Sequence, residues 1–94
     1  MKYYQQGDCL LKQVSEAKGK PTKSNLLWKG QNHHHRVKGK YTILKSDNVI
    51  YLKSQGCTLF HEEHKDIKID KGLYELSIVQ EYDHFLEESR AVID

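Results

Sequence analysis

The sequence of 94 residues has little of what many small proteins use to hold a fold together. It contains two cysteines and one proline. Cys9 and Cys57 lie far apart and form no CxxC pair, which excludes a zinc ribbon or finger. A secreted miniprotein usually carries more cysteine, so we expect both thiols to be reduced and the protein to be cytoplasmic.

Long apolar stretches are also missing. No run approaches the roughly 18–20 residues of a membrane span, and the first residues lack the apolar core of a signal peptide, so we expect no membrane association. Hydrophobic residues make up only 37% of the chain. Because so small a core stabilises a monomer weakly, we expect a homo-oligomer.

The net charge of +2 is small, but it conceals an uneven distribution. Residues 1–47 carry ten Lys or Arg against three acids (+7), whereas residues 48–94 carry five against ten (−5). Either the two halves pair within one domain or dimer, or the basic half attracts anions such as phosphates. No lysine-rich stripe with interleaved aromatics occurs, so we expect no general nucleic-acid binding.

The dominant pattern is an alternation of apolar and polar residues, which is typical of strands. It predicts one all-β domain over residues 1–94, a small antiparallel β-barrel or β-sandwich of about eight short strands. The predicted strands are 8–14, 25–29, 33–38, 41–45, 49–53, 57–60, a segment containing Ile67 and Ile69, and 73–82. Residues 15–24 are predicted to form an exposed mobile loop, and residues 85–94 a helical turn or a last strand.

All six histidines fall in three short motifs, which are residues 33–36 (HHHR), 61–64 (HEEH) and 82–84 (YDH). On a strand, His33 and His35 share the face of Val37, which indicates that this face is the inner one. His61 and His64 follow a predicted strand and can converge on a neighbouring strand. Buried imidazoles need hydrogen-bond partners, a metal or a ligand.

Four blocks in this order resemble a group of small uncharacterised proteins of tailed phages and bacteria. The blocks are residues 4–8 (YQQGD), 33–36 (HxHR), 61–65 (HEEHK) and 81–84 (EYDH). The group has a glycine before the first histidine, where this chain has Asn32. The resemblance implies a phage or bacterial origin, and thus the host cell's cytoplasm if a phage encodes the protein. The HxH motif is also similar, at the level of fold, to the start of the cupin metal site.

The first functional hypothesis is a His- and Arg-lined pocket for a phosphorylated small molecule. A phage origin makes a cyclic or other nucleotide signal of host defence an attractive ligand, either hydrolysed or sequestered. In the hydrolytic version, histidines form an acid/base pair that cleaves a phosphodiester without any cofactor. The candidate catalytic residues are His33, His35, His61 and His64, and the candidate ligand-binding residues are Arg36, Glu62, Glu63, Tyr82 and His84.

Two alternatives remain open. His33, His35, His61 and His64, with Glu62 or Glu63, offer nitrogen and oxygen ligands for Zn²⁺ or another divalent transition metal, in a metal-binding protein or a metal-dependent enzyme. Alternatively, the protein is a structural or interaction module whose uneven charge drives assembly.

Overall fold

The computed structural model describes residues 2–30 and 34–79, together with the backbone of Val92 and Ile93. These parts of the chain form nine β-strands: β1 (Tyr3–Gln6), β2 (Cys9–Gln13), β3 (Lys20–Thr22), β4 (Leu26–Lys29), β5 (His34–Lys45), β6 (Ile50–His61), β7 (His64–Ile69), β8 (Gly72–Ile78) and β9 (Val92–Ile93). All pairings are antiparallel. The all-β prediction is confirmed, and the single sheet is not closed. Within the described residues, no helix is long and apolar enough to cross a membrane.

The centre of the sheet is a hairpin of two twelve-residue strands, β5 and β6. The turn of this hairpin lies between the predicted strands 41–45 and 49–53, and in it the Ser46 amide donates to the Val49 carbonyl at 3.0 Å. The predicted strand breaks at Gly39 and Gly56 are wrong, because both strands run through these positions. The pairing register shifts there, and the positive φ angles (109° and 106°) accommodate a bulge rather than a turn.

This bulge divides the hairpin into two branches. On the side of the bulge farther from the hairpin turn, the first half of β5 pairs with β4 and the second half of β6 pairs with β7. On the side nearer the hairpin turn, the second half of β5 pairs with β3. The first half of β6 pairs with β8, and the sheet continues from β8 through β2 and β1 to β9. Apolar side chains from both branches form one buried core, which includes Leu11, Ile43, Leu52, Leu59 and Tyr74.

Two strands were not predicted from the sequence. β1 lies in a polar segment (YYQQ), although Tyr4, Gln5 and Gln6 are buried. β3 lies inside the segment predicted to be a mobile loop and pairs with Ile43, Leu44 and Lys45 of β5. Most of residues 15–24 are exposed, as expected, but part of this segment belongs to the sheet.

A substitution at Gly19, the residue before β3, tests how tightly β3 packs against β5. A Cβ at this position would lie 2.6 Å from the backbone of Lys45, whereas a Cβ at Gly56 would meet nothing within 4 Å, although both residues have positive φ. We expect Gly56→Ala to cost about 1 kcal/mol, which is backbone strain alone. Gly19→Ala should cost at least about 1 kcal/mol more in urea denaturation, because backbone must move. Equal losses for the two variants would show that the β3 segment is loosely packed.

Candidate functional site

The candidate site forms where the β1–β2 hairpin meets the β6–β7 hairpin. Gly7 and Asp8 make the two-residue turn between β1 and β2, and Gly7 has a φ of 60° at the first turn position, as a type II′ turn requires. The Asp8 carbonyl accepts a hydrogen bond from the Val79 amide at 2.8 Å. This bond ties the turn to the residue that follows β8. The turn also lies next to His35, on the inner face of β5.

His35 is 2% exposed, and both of its ring nitrogens have a partner. The Gln6 side-chain amide donates to the carbonyls of Leu59 (3.1 Å) and Lys65 (2.8 Å). Its oxygen therefore faces His35, and Nδ1–H of the ring donates to it at 2.9 Å. This network fixes the tautomer, because the proton of a neutral His35 ring must lie on Nδ1.

The other ring nitrogen, Nε2, lies 3.1 Å from an oxygen of the Asp8 carboxylate. In the tautomer fixed by Gln6, two acceptors face each other, so the contact needs a positive charge between them. A proton is disfavoured: burial, followed by the charge of His61, lowers the pKa of His35 to about 4, although Asp8 opposes the shift. At neutral pH the buried lone pair and the carboxylate therefore favour binding of another cation.

His61 and His64 place two further imidazoles beside His35. They are paired across the end of the β6–β7 hairpin, with ring centroids 4.6 Å apart. The His35 ring lies 4.4 Å from that of His61 and 6.1 Å from that of His64. The structure thus brings together three of the four histidines predicted to be catalytic, and His33 lies outside the described residues.

The orientation of His61 restricts its role. Its Nδ1 accepts a hydrogen bond from the Glu63 amide at 3.0 Å, so the proton of the neutral ring lies on Nε2. In this orientation His61 is a hydrogen-bond donor through Nε2 and has no free lone pair for a metal.

Gly7 leaves the space that these rings occupy. A Cβ at this position would lie 2.8 Å from Nε2 of His64 and 3.4 Å from Cε1 of His35. The His64 ring therefore closes directly over the β1–β2 turn, next to His35.

Asp8, Cys9 and His35 form a group of three different donors. One carboxylate oxygen, the sulfur and one ring nitrogen all lie within 4.8 Å of one another. Tetrahedral zinc, with bonds of about 2.0–2.3 Å, keeps its donors roughly 3.3–3.8 Å apart. A contraction of at most about 1.0–1.5 Å would therefore bring all three donors into coordination distance. Gln6 also fits, since a metal-binding histidine usually donates its other ring N–H to a neighbouring acceptor.

The remaining predicted residues do not join this group. Arg36 lies on the opposite face of β5 from His35, where its guanidinium donates to Asn25 at 2.9 Å. Glu62 and Glu63 are exposed in the β6–β7 turn. Tyr82 and His84 lie outside the described residues.

Gln6, Asp8 and Cys9 were not predicted to be site residues. The sequence does contain a signal for them: Gly7-Asp8 is good turn chemistry, and such a turn would make a hairpin of residues 3–6 and 9–13. In that hairpin Gln6 and Cys9 are paired partners, as the structure shows.

Substitution of Gln6 tests how much its hydrogen bonds contribute to the stability of the protein. Gln6→Leu keeps the volume but leaves two carbonyls and the His35 N–H without a partner. We expect a loss of about 3 kcal/mol or more in urea denaturation. Gln13→Leu is the matched control on β2, where the half-buried Gln13 side chain accepts one bond within the described residues, from the Lys2 amide. The loss for this variant should stay below about 1 kcal/mol. Similar losses would contradict the role assigned to Gln6.

Comparison with known proteins adds a family to this description. No curated protein and no solved structure matches the chain. One family model, described as "Domain of unknown function (DUF8820)", matches residues 5–79. The matched region includes Gln6, Asp8, Cys9 and all three clustered histidines. Since the match spans most of the chain, the protein belongs to the DUF8820 family.

Proposed function

We propose that this protein binds a divalent transition metal, with Zn²⁺ as the preferred ion, through Asp8, Cys9 and His35. The observation that carries the proposal is the 3.1 Å contact between Nε2 of His35 and the Asp8 carboxylate, because Gln6 leaves a lone pair on that nitrogen. A metal ion between the two atoms would turn a repulsive contact into two coordinate bonds.

The donor set favours zinc over harder ions. Carboxylate oxygen and imidazole nitrogen suit most divalent transition metals, whereas a thiolate selects zinc and other softer ions and disfavours Mg²⁺ and Ca²⁺. Burial, and then the charge of Asp8, raise the pKa of the Cys9 thiol, so without a metal the thiol keeps its proton. Metal binding should therefore release a proton and strengthen as the pH rises.

Three protein donors leave a fourth position for water or substrate, as in hydrolytic zinc enzymes. A metal bound in this way supplies a Lewis acid and lowers the pKa of a bound water. His61 and His64 are half-buried beside the three donors. The Nε2–H of His61 is oriented to donate a hydrogen bond rather than to coordinate the metal.

A phosphate-binding pocket at the same place has less support. Its expected Arg36 lies on the other face of β5, and the nearest charged partner of His35 is an acid, Asp8, which repels phosphate. Hydrolysis of a phosphodiester by a histidine acid/base pair stays a prediction, as do a phage origin, a host-defence nucleotide as ligand, cytoplasmic location and a homo-oligomeric state.

Metal loading tests the proposal directly. Protein freed of metal by a chelator and then titrated with Zn²⁺ should bind one equivalent per chain. At a free Zn²⁺ concentration about 100 times Kd, binding adds about 2.7 kcal/mol of stability, which should raise Tm by roughly 10 °C or more. With Co²⁺ in place of Zn²⁺, a cobalt–thiolate absorption band should appear and depend on Cys9.

Each ligand has a matched control that bears the same change elsewhere. Cys9→Ser, His35→Gln and Asp8→Asn should weaken metal binding strongly. Cys57→Ser, at the other buried cysteine, His34→Gln, at the neighbouring histidine, and Asp47→Asn, in an exposed turn, should bind normally. Wild-type protein that retains no metal after loading and shows no rise in Tm would refute the proposal.

A further inference from the structure

A second candidate site lies in the other branch of the β5–β6 hairpin, away from the histidines. Here the loop after β2 faces β6 and the β7–β8 turn across a cleft of about 610 Å³. This volume lies within the roughly 300–1,000 Å³ of typical small-molecule sites.

The cleft collects positive charge from three separate parts of the chain. Lys18 comes from the loop after β2, Lys53 from β6 and Lys71 from the β7–β8 turn. Among the residues that the structure describes, Glu16 is the one acid in the lining. Three ammonium groups around one cleft repel each other, and this arrangement favours binding of an anion.

These lysines are not neutralised by the described residues. No carboxylate of residues 2–30 or 34–79 lies within ion-pair distance of Lys18, Lys53 or Lys71. Asp70 directly precedes Lys71, but its carboxylate accepts a hydrogen bond from the ammonium of Lys2 at 2.6 Å instead of pairing with Lys71. That bond also lowers the pKa of Asp70.

The other wall residues are compatible with a small organic ligand. Leu44 and Leu73 contribute an apolar surface from β5 and β8. Ser54 also lines the cleft, but its hydroxyl is engaged with the Ile69 carbonyl and the Gly56 amide. The groups available for recognition are therefore the ammonium groups, the apolar surface and the polar side chains of Ser15 and Gln55.

We propose that this cleft binds a phosphorylated small molecule, whose phosphates lie among Lys18, Lys53 and Lys71 and whose apolar part lies against Leu44 and Leu73. The proposal is independent of the metal centre. It assigns a phosphorylated ligand to Lys18, Lys53 and Lys71 rather than to the histidines and Arg36.

The probes are inorganic pyrophosphate and ADP, titrated by calorimetry at low ionic strength into chelator-treated protein. Each of Lys18→Gln, Lys53→Gln and Lys71→Gln should weaken binding about threefold, and the triple variant about thirtyfold. Lys68→Gln, at an exposed lysine of β7 outside the cleft, should leave it unchanged. Glu16→Gln should tighten binding about twofold, since it removes the one negative charge of the lining.

Three further measurements locate the site. ADP should shift the backbone amide resonances of Leu44, Gln55 and Gly72, and not those of Gly7 and His35. Binding should weaken as salt is added. His35→Gln should bind ADP normally, which separates this cleft from the metal centre.

Several results would overturn the proposal. One is unchanged affinity in the triple lysine variant. Another is a set of resonance shifts confined to the histidine cluster. A third is tighter binding of single-stranded DNA than of ADP, which would assign the cleft to nucleic acid. The absence of any pyrophosphate or ADP binding to wild-type protein at low salt would also overturn it.

Discussion

The site depends on the bonds made by one buried amide, that of Gln6. Its nitrogen donates to two carbonyls, on β6 and β7, and its oxygen accepts from His35 on β5. The same side chain thus links β1 to β6 and β7, and it determines which nitrogen of His35 carries the proton. The hydrogen bonds of Gln6 therefore have two effects. They hold the strands together, and they leave the lone pair of His35 on Nε2, the nitrogen that faces Asp8.

The distribution of charge separates the molecule into two chemical regions. Beside the imidazoles, Asp8 supplies negative charge, which favours a metal cation. In the other branch, Lys18, Lys53 and Lys71 line a cleft together with one acid. The uneven charge of the two halves of the sequence does not map onto these regions, because strand pairing brings distant segments together.

Alternation of apolar residues was sufficient to predict the fold class and most strands. It placed His35 and Val37 on the buried face correctly, since strand periodicity depends only on local geometry. It missed β1, because Gln5 and Gln6 look like surface residues when their hydrogen-bond partners lie far away in sequence. It took Gly39 and Gly56 as breaks between strands, because a glycine with positive φ fits both a strand end and a bulge.

The histidine cluster was partly predictable from strand alternation. His35 and His61 are on the same side of paired strands, which an assumed β5–β6 hairpin would have shown. Asp8 and Cys9 were not predictable from the histidine motifs, because their approach to His35 depends on where the β1–β2 hairpin docks. Arg36 was assigned to the pocket although alternation already placed it on the opposite face of the strand.

The long sequence separation between Gln6 and its partners has a consequence for the order of folding. The Gln6–Leu59 and Gln6–Lys65 bonds span 53 and 59 residues, whereas the β5–β6 and β6–β7 hairpins are local. Local hairpins close at a lower entropic cost, so the three imidazoles can come together before the N-terminal hairpin arrives. On this reasoning Asp8 and Cys9 would join His35 only when the N-terminal hairpin docks, and before that the folding chain would present the three imidazoles without a complete donor set.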